Sequence, residues 1–180
     1  MRADAQANRD RILAAAEAVF SEAGEAGSTD EIARRAGVGI GTVFRHFPTK
    51  QDLVEATVVR HFDELTAQAR ALSSGDPAAA LRELIETMVG TAATKILLIG
   101  LLTDPSGQVP DAALQASQRL RRAVATLLRR AQHDGAIRSD VSVDEVYLLV
   151  RGLALAAAQR PAKTATRRKA LDIVLAGLTP

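Results

Sequence analysis

The chain of 180 residues has no cysteine and no tryptophan, and its aromatic side chains are limited to four Phe and one Tyr. Without cysteine it has no disulfides, no thiolate zinc ligands and no cysteine nucleophile, a composition that suits a reducing compartment. Residues 1–12 are too polar for a secretory signal, and the apolar runs at 96–102 and 146–158 are short or interrupted by Arg151. We therefore expect a cytoplasmic protein that does not enter a membrane.

An excess of charge of one sign is also lacking, because 23 Lys and Arg stand against 21 Asp and Glu, a net charge of +2. Residues 1–50 hold seven basic and seven acidic residues, and residues 51–180 hold sixteen and fourteen. Bulk charge therefore identifies no nucleic-acid-binding half. A prediction of nucleic-acid binding must depend on where individual cations are placed.

One short stretch, residues 28–50, contains two helix starts, a glycine turn and a proline stop. Ser28 and Glu31 have the spacing of a capping box, in which the hydroxyl binds a free backbone N–H and the carboxylate binds the N–H of the cap. Gly37 is placed to end that helix in a left-handed conformation. A second short helix over about 40–46 must stop before Pro48, because proline disfavours helical geometry in the preceding residue. This pattern is typical of a helix-turn-helix.

The rest of the chain also follows helical spacing, and no strand-like alternation of apolar and polar residues occurs. Helices are expected over about 5–23, from Thr49 to about 72, from Pro77 with a kink or an end at Gly90, over about 111–133, over about 142–159 and from about 164. In the helix over 111–133, Leu114 is expected to face inward. The clearest breaks lie at 73–77 and 104–107. We predict an all-α protein.

The predicted helix over 143–158 is apolar nearly all round, so it needs two surfaces to bury it, and one monomer core supplies only one. A subunit interface would supply the second. We therefore predict a two-fold homodimer through residues 143–158 and 164–178. Its predicted interface residues are Val146, Val150, Leu153, Ala157, Leu171, Val174 and Leu178.

The segment IARRAGVGIGTVFRHFPTKQDL resembles the DNA-binding motif of TetR-type transcriptional regulators, with its glycine and valine at the turn, then Gly41-Thr42, Phe44, His46-Phe47 and Lys50. The resemblance implies an N-terminal three-helix helix-turn-helix DNA-binding domain (1–50), a connecting helix and linker (51–75) and a C-terminal helical effector and dimerisation domain (76–180). It implies that the second short helix enters the major groove of a pseudo-palindromic double-stranded operator. The candidate DNA-binding residues are Thr29, Gly39, Ile40, Gly41, Thr42, Phe44, Arg45, His46 and Lys50.

The first residues of that helix offer few hydrogen bonds. Gly39 and Ile40 have no polar side-chain atom, and Phe44 has no hydroxyl where the family commonly has tyrosine. We expect operator reading to depend on Thr42, Arg45 and the shape of the DNA.

An unidentified small-molecule effector is expected in the C-terminal domain. The candidate ligand-binding residues are Met88, Thr91, Ala92, Lys95, Leu98, Leu127, Tyr147 and Arg151. Most of them would also serve as the core of any helical bundle. The arginine group Arg119, Arg121, Arg122, Arg129 and Arg130 has two interpretations, a solvated helix face or a site for an anionic ligand.

The function predicted from these features is a sequence-specific regulator, a homodimeric repressor released by a small molecule. The alternatives are an activator, a regulator without a ligand, and a helical ligand-binding or enzymatic bundle that does not bind DNA. The glycines after Ala36 follow a helix and not a strand, which argues against a nucleotide-binding loop. The three histidines have no metal-ligand spacing, and no nucleophile, base and orienting group are evident. We expect no enzymatic activity, no metal and no cofactor.

Overall fold

The computed structural model describes residues 2–103, 107–159 and 163–180, and every regular element among them is helical. The helices are α1 (Arg2–Ala23), α2 (Thr29–Ala36), α3 (Ile40–His46), α4 (Lys50–Ala71), α5 (Pro77–Gly90), α6 (Ala92–Leu102), α7 (Asp111–His133), α8 (Val143–Gln159) and α9 (Thr164–Ala176). Short 3₁₀ turns, Gly24–Ala26 and Leu72–Ser74, follow α1 and α4. The all-α prediction is confirmed, and the helix bounds expected for residues 28–50 agree with the structure.

The chain forms two compact units, Met1–His61 with Thr94–Gln115, and Phe62–Ala93 with Ala116–Pro180. In the first unit, α1 packs on α2 and α3. The largest side chains fully buried there include Phe20, Ile12, Ile32 and Leu53. Each lies on the apolar face of its helix, so the spacing of these residues determines how the short helices pack.

In the second unit, α5 packs on α8 and α9, and α8 on α9. Leu81, Leu84, Leu120 and Leu127 are among its fully buried side chains. Asp76 caps α5 by accepting a hydrogen bond from the Ala79 N–H at 2.7 Å, and Pro77 occupies the first turn, where its missing N–H costs nothing.

The helix beginning at Pro77 ends at Gly90, one of the two outcomes that the sequence allowed at this glycine, and a new helix begins at Ala92. Thr91 caps α5, and its hydroxyl donates to the Thr87 carbonyl. One sequence expectation needs correction. Leu114, expected to face inward, is 47% exposed. It lies in the first turn of α7, where the helical period predicted a core position.

None of the described helices is long and apolar enough to cross a membrane alone. One bent pair, Pro77–Gly90 with Thr94–Leu102, reaches that length and composition only when its two members are combined.

Candidate DNA-binding surface

The start of α2 is fixed by Ser28, whose hydroxyl accepts a hydrogen bond from the Glu31 N–H at 3.2 Å. The reciprocal half of the expected capping box is not formed among the described residues. The Glu31 carboxylate instead accepts hydrogen bonds from Arg34 at 2.7 and 2.8 Å and from Arg35 at 2.6 Å. Two guanidiniums one turn further along the helix compete successfully for this carboxylate because charge-assisted bonds are stronger than a bond to a backbone amide.

The turn between α2 and α3 begins at Gly37, which has φ 65° and ψ 38°, as the sequence predicted. Its N–H and the N–H of Val38 donate to the carbonyls of Arg34 and Ala33, at 3.2 and 3.1 Å. A residue with a side chain is strained in this left-handed region, so glycine is needed here to stop the helix and redirect the chain into α3.

The helix α3 has one buried side and one open side. Val43 is buried, and so is Phe47, which follows the helix; both face the small core, as expected. Gly41, Phe44 and Arg45 are exposed, with Phe44 at 45%. An exposed phenyl ring beside an exposed guanidinium on a short helix is a surface suited to a large partner.

The chain's own packing does not require glycine at Gly39 or Gly41, at the start of α3. A Cβ placed at either residue would have no other atom within 4 Å, and neither has a positive φ. Gly27 is different, because a Cβ there would come 2.9 Å from Phe20 Cδ1. The open space at Gly39 and Gly41 lets another molecule approach the backbone of α3 closely.

The basic residues of α2 are already paired. Arg35 binds Glu22 of α1 at 2.7 Å as well as Glu31, and these hydrogen bonds raise the pKa of the Arg35 guanidinium. Hydrogen bonds from Arg34 and Arg35 lower the pKa of Glu31 to about 2. Glu31 of α2 and Glu22 of α1 therefore neutralise much of the positive charge of α2.

Arg45 and Lys50 differ in their surroundings. The exposed Arg45 guanidinium has no ion-pair or hydrogen-bond partner among the described residues, so it is available to a phosphate. The Lys50 ammonium donates to the Glu25 carbonyl at 2.7 Å and lies 5.8 Å from the centre of the Phe20 ring. Lys50 thus stabilises the turn after α1. The sequence did not indicate this role, because Lys50 and Glu25 lie far apart along the chain.

The remaining candidate residues lie around the same helices. Thr29 is at the start of α2, Thr42 and His46 are half-buried on α3, and Ile40 is exposed. The start of α4 is held by Thr49 and Asp52, which form the full reciprocal box, since the Thr49 N–H donates to Asp52 at 2.9 Å and the Asp52 N–H donates to the Thr49 hydroxyl at 3.0 Å.

The candidate ligand-binding residues are divided between the two units of the structure. Lys95 and Leu98 belong to the first unit, and Met88, Thr91, Ala92, Leu127, Tyr147 and Arg151 belong to the second. Met88, Ala92, Leu98 and Leu127 are buried, whereas Arg151 is exposed. Their role as a ligand site stays a prediction.

Tyr147 carries an unusual feature of its own. Its hydroxyl is buried and has no hydrogen-bond partner among the described residues. Burial raises the pKa of Tyr147 to about 12, and the nearby charge of Arg121, whose guanidinium carbon lies 5.4 Å from the ring centre, partly opposes that rise. Arg121 belongs to α7, and no sequence pattern marked its position beside this ring.

The predicted interface residues are mostly buried within one chain. Val146, Val150, Leu171 and Leu178 are buried, and with Leu153, Val174 and Ile85 they form an apolar cluster of α5, α8, α9 and the residues after α9. The Ala157 side chain lies outside the described part of the structure. The apolar side chains that α8 and α9 leave open are others, namely Leu148, Leu149, Leu155 and Ile173.

Two hydrogen bonds that the sequence did not indicate join α6 to the first unit. The Ser21 hydroxyl of α1 lies 2.8 Å from the Thr94 hydroxyl. The Gln51 amide of α4 donates to the Leu102 carbonyl at 3.5 Å. No sequence pattern marks either contact, because each joins residues more than fifty positions apart.

Two parts of the chain match known protein families. Residues 12–57 match the family described as bacterial regulatory proteins of the tetR family, and residues 76–180 match the C-terminal domain of SbtR-like transcriptional regulators. A helix-turn-helix transcriptional regulator of Staphylococcus aureus (strain USA300) is 44% identical over 64 residues. That match spans 35% of this chain and 35% of the relative, about a third of its length.

Two solved structures are similar over nearly the whole chain. A TetR transcriptional regulator of Streptomyces coelicolor is 35% identical, with a TM-score of 0.83, and the match covers 96% of this chain and 98% of that one. A TetR regulatory protein of Mycobacterium vanbaalenii is 34% identical, with a TM-score of 0.81, and 99% of each chain is covered. The similarity therefore extends through the helices that follow the helix-turn-helix.

Proposed function

The chain belongs to the TetR family of DNA-binding transcriptional regulators, and from that premise we propose that it acts as a homodimeric repressor that a small-molecule ligand releases from its operator. The single observation that carries the DNA-binding part is the open side of α3. There, two glycines leave free space beside the backbone, and Arg45 has no partner among the described residues.

In the proposed complex α3 lies in the major groove, and its outward side chains contact bases and phosphates. Thr42 offers a hydroxyl and a methyl group, Phe44 offers an apolar surface to a thymine methyl, and Arg45 binds phosphate. The free backbone N–H groups at the starts of α2 and α4, at Thr29 and Lys50, attract phosphate oxygens, and His46 can donate to another.

A dimer explains how one short helix can reach sufficient affinity and specificity. Two copies of α3 related by a two-fold axis would read two half-sites about 34 Å apart, one turn of B-DNA. The open apolar residues of α8 and α9 support such a dimer, because Leu148 is 71% and Ile173 66% exposed in the single chain.

Release by a ligand requires a path from the second unit to α3. Three helices, α4, α6 and α7, each contribute residues to both units, so a change in the second unit is covalently connected to the first. A coupling free energy of about 1–3 kcal/mol would weaken operator binding roughly five- to 150-fold, which is enough for regulation.

The test of DNA binding is a selection of duplexes from a random pool by the full chain. We expect an inverted repeat to be enriched, with half-site centres about one helical turn apart. A pool that yields no enriched sequence would overturn the proposal and favour a helical bundle that binds something other than DNA.

Repression is tested separately, by transcription in vitro from a promoter that carries the enriched repeat. The proposed repressor lowers transcript yield when the protein is added. An increase in yield would identify an activator and leave the DNA-binding part of the proposal intact.

A further inference from the structure

A group of cations surrounds a cavity of about 380 Å³ in the second unit, between the end of α4 and the middle of α7. Three arginines line it, Arg70 from α4 and Arg119 and Arg122 from α7. These side chains come from positions some fifty residues apart, so the sequence alone could not show that they share one cavity. Its volume falls at the lower end of the range for small-molecule sites.

Two of the three guanidiniums carry uncompensated charge. Arg119 is paired with Asp63 of α4 at 2.7 Å. Arg70 and Arg122 have no side-chain partner among the described residues, whereas Arg82, Arg121 and Arg138 of the same unit each bind a carboxylate. Asp63 therefore offsets the charge of Arg119, and the charges of Arg70 and Arg122 have no carboxylate partner among the described residues.

The cavity also has an apolar wall. Ala69 and Leu127 are buried and Ala123 is half-buried, and all three line it. Ala69 and Leu127 are already covered by the chain, so the apolar surface left open on this wall belongs to Ala123. A free inorganic anion would leave that surface exposed to water, whereas a ligand with a short hydrocarbon part would cover it.

The hydroxyls at the edge of the cavity already have partners in the chain. The Ser73 hydroxyl donates to the Arg70 carbonyl at 2.6 Å, and the Thr126 hydroxyl donates to the Arg122 carbonyl at 2.9 Å. The Arg130 guanidinium donates to the Ser73 carbonyl. Because these hydroxyls already donate within the chain, the guanidiniums of Arg70 and Arg122 are the donors left to bind a ligand.

We propose that this cavity binds a small amphipathic dianion, a phosphate monoester or a dicarboxylate with a short apolar part. Arg70 and Arg122 bind the two negative charges, because guanidinium forks match the geometry of phosphate and carboxylate oxygens. The half-buried Ala123 contacts the apolar part. The proposal does not depend on whether the protein represses transcription, because none of the residues that line the cavity belongs to α3.

The experiment is calorimetric titration of the full chain at low ionic strength with three probes: n-hexyl phosphate, octanedioate and, as an uncharged control, 1-hexanol. We expect at least one of the two dianions to bind with a Kd below about 1 mM and hexanol not to bind in that range. Which dianion binds more tightly identifies phosphate or paired carboxylate as the preferred chemistry.

Three variants make the test specific. Arg70→Gln and Arg122→Gln should each weaken binding of the dianion about tenfold or more, because each removes a charge-assisted contact. Asp63→Asn should strengthen binding, because it frees the third guanidinium. Lys169→Gln removes the same charge from an exposed position of α9 and should leave the affinity unchanged.

Circular dichroism of every variant shows whether it is folded. If neither dianion binds below about 1 mM, or if Lys169→Gln weakens binding as much as the two arginine variants do, the cavity is only a solvated basic face and the proposal is overturned.

Discussion

The hydroxyl of Ser21 in α1 lies 2.8 Å from the hydroxyl of Thr94 in α6. Thr94 follows α5 along the chain, yet it belongs with the helix-turn-helix as part of the first unit. We predict that the double-mutant cycle of Ser21→Ala and Thr94→Val gives a coupling energy of about 0.5 kcal/mol in the free energy of unfolding, the value expected for an exposed hydrogen bond. Additive effects of the two substitutions would show that the bond contributes nothing.

Gly41 gives a prediction in which stability and function change in opposite directions. Gly41→Ala should raise the free energy of unfolding by about 0.5–1 kcal/mol, because alanine favours the helix and its Cβ has open space. It should also weaken operator binding, because the methyl group keeps DNA from the backbone of α3. Denaturant unfolding and fluorescence anisotropy measure the two quantities.

The matched control for Gly41 is Gly100→Ala in α6, where a Cβ also meets nothing within 4 Å. We expect the same gain in stability with no change in operator affinity. Equal affinity in the two variants would contradict the close approach proposed for Gly41.

Acid should weaken the ion pairs of Glu31 within α2. The pKa of Glu31 is lowered from 4.5 to about 2 by Arg34 and Arg35. A depressed folded-state pKa stabilises the protein above pH 4.5, and that stabilisation is lost as the pH falls from 4.5 toward 2. The free energy of unfolding should therefore depend less on pH in this window for Glu31→Gln than for the unmodified chain.

The control is Glu55→Gln, which removes a carboxylate of α4 that makes no ion pair among the residues described. It should keep the pH dependence of the unmodified chain between pH 4.5 and 2. Identical pH profiles for Glu31→Gln and Glu55→Gln would mean that the Glu31 pairs are screened by water.

The proposed dimer predicts a specific response to charge on α8 and α9. Leu148→Glu and Ile173→Glu place a carboxylate on side chains that are exposed in the single chain, so the monomer should still fold. Sedimentation should show a dimer for the unmodified chain and a monomer for both variants. Leu114→Glu, on α7, is the control that should remain dimeric.

A monomeric unmodified chain at micromolar concentration would contradict the proposed dimer. If all three glutamate variants were monomeric, either the interface lies elsewhere or the substitutions destabilise the fold in general. The free energy of unfolding of each variant would distinguish these two explanations.

Residues 28–50 were predictable in detail because the signals there are local. A cap at Ser28, a left-handed Gly37 and a stop before Pro48 act within a few residues of one another, and each holds in the structure. The predicted bond from the Ser28 N–H to the Glu31 carboxylate is not formed, because Arg34 and Arg35, one turn further along α2, bind that carboxylate.

Other features depended on distant contacts and could not be predicted. The burial of Val146 and Leu171 depends on packing among α5, α8 and α9, and helical spacing does not say whether an apolar face meets its own chain or another. The bond of Lys50 to the Glu25 carbonyl likewise depends on how the turn after α1 folds back.

The most direct test of the DNA-binding account is the affinity of Arg45→Ala for the enriched repeat, measured by fluorescence anisotropy across a range of salt concentrations. We predict weaker binding and a salt slope, the change in log affinity per log salt, that is lower by about one for each subunit of a dimer, because one phosphate contact per α3 is lost. Lys169→Ala should keep the affinity and slope of the unmodified chain. Unchanged affinity and unchanged slope in the folded Arg45→Ala variant would contradict the placement of α3 on DNA.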